Sequence, residues 1–137
     1  LQKPLIFQCN SYYNFVLESK KAMLENLTKE INEQQADSLN QILKNNKITP
    51  ELMWEIGIYE WSVGNIKKAK LDFIKSLEIN PQYIPANFFL AIVYEKEENY
   101  NSAIKYYEKL IEQKENSLTP IVKMFLGVAQ RRNIEKE

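Results

Sequence analysis

Apolar positions along this chain recur every three or four residues rather than every second one, the spacing of helices that bury one face. Between Ser11 and Lys47 there is no glycine or proline, and Val16, Met23, Leu27 and Ile31 form one such stripe. Leu39, Ile42 and Leu43 form a second, shorter one. This predicts two helices with a break between residues 32 and 37, with a single long helix as the other reading; residues 1–10 read as irregular. Further on, Thr49-Pro50 marks a helix start, with threonine as N-cap and proline at the first helical position. Gly64-Asn65 ends that helix, and a second runs from Ile66 to Asn80, where Pro81 stops it. The next start lies near Pro85, with a turn at Glu98-Asn99 and a helix from Tyr100 to Lys114.

Sliding the chain by 34 residues pairs like with like. Trp54 meets Phe88, Ile56 meets Leu90, Gly57 meets Ala91 and Ile58 meets Ile92. Beyond them Ile66 pairs with Tyr100, Ala69 with Ala103, Phe73 with Tyr107 and Leu77 with Ile111. A period in this range is the mark of stacked helical hairpins. Thr119-Pro120 repeats the threonine-proline start, and Leu126-Gly127 echoes Ile56-Gly57 after two repeats and a two-residue insertion.

Residues 50–117 resemble two tetratricopeptide repeats, and 118–137 resemble the first helix of a third. Ile56, Gly57, Gly64, Ile66, Ala69, Phe73 and Pro81 match the family's signature in the first unit. Leu90, Ala91, Tyr94, Tyr100, Ala103 and Tyr107 match it in the second. Glu60 stands where the family has tyrosine, Glu98 where it has glycine and Glu115 where it has proline. The resemblance implies an all-α, right-handed superhelical stack of antiparallel hairpins, with repeats at 50–83 and 84–117 and a further helix at 119–135. Residues 1–48 are then an added N-terminal helical segment, a cap or a degenerate repeat. Small residues at 57, 69, 91 and 103 sit where helices approach closely, and Phe73 and Tyr107 fill the facing gaps. One hairpin alone would leave an apolar face in water, so stacking is required.

In that family the first helix of each pair lines a concave groove. Met53, Ile56, Gly57 and Glu60 fall on the core side of the first helix, and Trp54, Ile58 and Trp61 on the groove side. One repeat on, the groove positions are Phe88, Ile92 and Glu95; in the last helix they are Met124, Val128 and Arg131. The expected surface is aromatic and aliphatic in its middle, with Glu95, Lys96, Arg131 and Arg132 along one edge. Two indoles and a phenyl ring bury on the order of 150–250 Å² each when covered, and patches of that size mark interaction sites. The partner expected is a protein, presenting an amphipathic helix or extended apolar segment. The alternative is that the chain's own N-terminal helices fill the groove. The basic clamp that grips chaperone C-termini in some members of the family is not expected, because Trp54, Ile58 and Phe88 occupy its positions.

Composition narrows the chemistry. Lys plus Arg and Asp plus Glu are equal at 18 each, so no global field draws the chain to nucleic acid, and Asn65 to Lys70 is only a small basic cluster. There is no histidine and one cysteine, Cys9, so the commonest general base and catalytic thiol pairings are missing and no internal disulfide forms. The three glycines make no phosphate loop, and Glu95, Glu97 and Glu98 read as a solvated cluster. No catalytic, metal or cofactor site is expected. The longest apolar run, Phe88 to Tyr94, is far short of the roughly 20 residues of a membrane span. The start at Leu1 reads as that of a fragment, which leaves cytoplasm and periplasm or envelope both open, although envelope assembly is common work for bacterial members of the family. Ile121, Val122, Phe125 and Leu126 form an apolar side that a preceding hairpin or a second copy of the chain would cover.

Overall fold

The structure is a computed structural model describing residues 14–26, 44 and 48–136. Within them are six helices and no strand: α1 (residues 14–26), α2 (Pro50–Ser62), α3 (Ile66–Ile79), α4 (Ile84–Lys96), α5 (Tyr100–Glu112) and α6 (Thr119–Lys136). The stripe at Leu39 to Leu43, the break near residue 35, Cys9 and residues 1–10 lie outside the described residues. The helices α2 and α3 form one hairpin and α4 and α5 a second packed on it, while α6 packs on α5.

Local chemistry sets the boundaries. The Thr49 hydroxyl accepts from the Leu52 N–H at 3.1 Å, the N-cap bond anticipated there. At the other end Gly64 takes φ +89°, in the left-handed region that glycine enters freely. The N–H groups of Val63, Gly64 and Asn65 bond back to the carbonyls of Tyr59, Trp61 and Glu60. The same three bonds recur 34 residues later, from Glu97, Glu98 and Asn99 to Val93, Glu95 and Tyr94. Glu98 thus adopts the turn with φ 60°, without the glycine that makes it easy. Thr119 departs from its expected role: helix α6 begins at it, and its hydroxyl accepts from the Asn116 N–H of the preceding loop.

The core lies between the helices of each hairpin and across their stack. Ala69, Phe73, Ala91, Ala103 and Tyr107 are fully buried. A Cβ on Gly57 would lie 2.5 Å from Cε1 of Phe73, so the backbone of α2 meets that ring directly. A ladder of rings crosses the stack. Trp54 meets Phe89 edge-on at 5.8 Å, Phe89 meets Phe88 at 5.7 Å, and Phe88 stacks on Phe125 at 5.6 Å. Glu60, expected on the core side, is only half-buried and accepts from the Asn65 side chain at 2.9 Å. The apolar side of α6 is covered from within, since Val122 and Phe125 are buried and join the main core.

Candidate protein-binding face

The first helix of each hairpin, together with α6, builds one face, and α1 lies against it. Two side chains of α1 four residues apart are buried there, Val16 and Lys20. The Lys20 Nζ is 2.6 Å from Oε2 of Glu95 on α4 and 5.1 Å from the centre of the Phe125 ring on α6. The Tyr107 hydroxyl of α5 donates to Oε1 of Glu95 at 2.6 Å, and Arg132 Nη1 of α6 stands 3.9 Å from Oε2. Glu95 is 3% exposed, so this carboxylate works in a low-dielectric site where partners matter most. Burial lowers the Lys20 ammonium from its ordinary range, against the pull of Glu95. Burial, reinforced by the Glu95 charge, pushes the Tyr107 phenol well above its usual value, which keeps it a hydrogen-bond donor.

The expected groove residues divide unequally. Ile58, Phe88, Ile92 and Val128 are buried, while Trp54, Trp61 and Met124 are half-buried. They do not form an open apolar patch. Glu95, expected at a solvated edge, is the buried centre of an ion-pair cluster. Arg131 turns instead to Glu135, four residues along α6, at 3.0 Å. Its neighbour Arg132 faces Glu95, and Phe125 rather than Met124 stacks on Phe88. The last helix therefore brings 125, 128 and 132 to the centre of this face, where 124, 128 and 131 were expected with Arg132 at the edge.

The fit of α1 is incomplete. A cavity of about 390 Å³ remains beside it, walled by Leu17, Lys21 and Leu24 of α1, Trp61 of α2, Ile92 and Lys96 of α4, and Arg132 of α6. The Lys96 ammonium stands 5.9 Å from the centre of the Trp61 ring.

The tetratricopeptide-repeat family profile matches residues 50–83 and 84–117, one hairpin each. The chain is a tetratricopeptide-repeat protein. Among solved structures it is similar to that titled "Crystal structure of MamA", with TM-score 0.58 and 18% identity over 90% of this chain and 86% of that one. At that identity the likeness speaks to the fold alone. No curated protein sequence matches the chain.

Of the residues around Glu95, reasoning from sequence passed over Lys20, and it named Arg132 at the groove edge, Phe125 on the apolar side of the last helix and Tyr107 in the core without linking them to Glu95. Tyr107 was legible only as a gap-filler, because its hydroxyl gains meaning from Glu95. Lys20 carried one faint signal, a cation one helical turn after Val16 on the α1 stripe. Among the described residues no group of His, Cys, Asp and Glu is placed to hold a metal ion, and no helix is long and apolar enough to cross a membrane.

Proposed function

We propose that this is a non-catalytic protein-interaction module that takes an amphipathic helix on the face formed by α2, α4 and α6. The observation that carries the reading is α1 itself. It rests there as a helix would in a groove, through one narrow stripe, with Phe15 on its back 61% exposed. A helix held by Val16, Lys20 and partly buried Leu17, Met23 and Leu24, beside an unfilled cavity, is a weakly retained occupant that a partner helix can replace.

A second reading is favoured by the buried pairing of Lys20 with Glu95: α1 fills the face permanently and the domain is a structural unit. Native-state hydrogen exchange on the whole chain separates the two. Under the first, α1 amides exchange through an opening of lower free energy than α4 amides; if both open only together, the face is permanently filled. Trp61→Ala, at the cavity rim, should weaken capture of a partner from native extract while leaving helicity unchanged. Trp54 is less suited to that purpose, because its ring packs on Phe89.

A further inference from the structure

We propose that Glu95 selects the helix bound on this face by requiring a lysine or arginine at its centre. The partner is then a protein segment that folds as an amphipathic helix with an apolar residue one turn before that cation and another one turn after it. This rests on the groove reading above and adds which side chain is recognised.

The Glu95 carboxylate is held from below: Oε1 is occupied by the Tyr107 hydroxyl, and Oε2 is turned to α1. Around it are the apolar Ile92 and Phe125, both buried. Arg132 at 3.9 Å is beyond hydrogen-bond distance from Oε2. A helix that covers Glu95 without a cation leaves Oε2 desolvated and, among the described residues, facing only Arg132 at 3.9 Å, which costs far more than the same loss on an exposed carboxylate. The apolar floor therefore provides attraction, and Glu95 rejects helices with a neutral or acidic centre. Chain segment 14–26 supplies the matching pattern, Val16, Lys20 and Leu24 at four-residue steps on one helix face. The cavity lies beside Leu24, against Trp61 and Ile92, so a partner with a bulkier apolar residue at that step would fit the face better than α1 does.

The test uses the whole chain and a fluorescein-labelled peptide of residues 14–26, followed by anisotropy. In the wild-type chain α1 competes from a tether at high effective concentration, and the peptide binds poorly. Lys20→Glu in the chain sets two carboxylates together and frees the face. That chain should bind the natural peptide at least ~10-fold more tightly than the wild-type chain does. It should also bind the natural peptide at least ~10-fold more tightly than a peptide carrying Lys20→Glu. In a Glu95→Lys chain the preference should invert. A Lys20→Met chain serves the same purpose should Lys20→Glu fail to fold. Equal affinity for the two peptides would overturn charge selection and leave the groove reading standing. No binding to any chain that circular dichroism shows to be helical would overturn both. A wild-type dimer by light scattering that Lys20→Glu dissolves would assign the face to a second copy and also overturn the proposal.

Discussion

Two glycines at echoing places in the repeat should answer the same substitution with opposite signs. Replacing Gly57 with alanine puts a methyl carbon 2.5 Å from Cε1, 2.8 Å from Cδ1 and 3.1 Å from Cζ of Phe73. That ring cannot swing away freely, because it is fully buried and lies 5.8 Å from Phe89, which Trp54 and Phe88 hold in turn. Overpacking of this kind costs about 1–3 kcal/mol. Alanine in mid-helix returns about 1 kcal/mol relative to glycine, so the net loss is about 0–2 kcal/mol, near 1 at the middle of the range. At Gly127 a Cβ meets nothing within 4 Å. There the helix term stands alone, and Gly127→Ala should stabilise by about 0.5–1 kcal/mol. Urea unfolding followed at 222 nm reads the contrast. With m near 1–3 kcal/mol/M, the two variants should differ in midpoint by about 1 M. Phe73→Leu introduced beside Gly57→Ala should recover part of the loss. If both alanines stabilise, or both destabilise alike, the close approach of α2 to Phe73 is not what the glycine is for.

Other consequences can be tested one by one. Glu98→Gly relieves the left-handed backbone at φ 60° and should raise the melting temperature by a few degrees, about 1 kcal/mol; an unchanged or lower melting point refutes the strain. Tyr107→Phe leaves Oε1 of Glu95 without its donor and should destabilise by about 1–3 kcal/mol in the same urea assay. Burial raises the Asp72 carboxyl above its ordinary range, so the folded state takes up a proton more readily than the unfolded one. Stability relative to Asp72→Asn should therefore rise as the pH falls from neutral through that raised value toward the ordinary carboxylate pKa, and melting curves across that window would show it. In single-tryptophan variants, emission from Trp61 should move to the red when Lys20→Glu releases α1, while emission from Trp54, packed on Phe89, should hold still.

Most of the fold was legible because its signals are local and periodic. The Thr49 cap, the Gly64 turn and the small residues at 69, 91 and 103 each act over a few residues, and the 34-residue period multiplies them. Glu98 was the hard position, since it does a glycine's work by accepting strain that its neighbours' hydrogen bonds impose. The face was legible in part. Ile58, Phe88, Ile92 and Val128 do come together, because their spacing follows the repeat. Glu95 was misjudged, as a carboxylate among carboxylates reads as solvated until its partners are known, and these come from α1, α5 and α6. On α6 the side chain that meets Phe88 is Phe125 where Met124 was expected, while Arg132, expected at the edge beside Arg131, is the one that faces Glu95. A one-residue rotation after an insertion is beyond what periodicity resolves.

The ring ladder from Trp54 through Phe89 and Phe88 to Phe125 crosses both boundaries between α2, α4 and α6. Repeat arrays fray from their ends when each unit is only loosely joined to the next. Here the joints carry some of the largest side chains in the molecule, so loosening one hairpin strips contacts from its neighbour at once. Melting should then run as a single event across 50–136, and whatever touches this surface meets a stiff block instead of a hinged string.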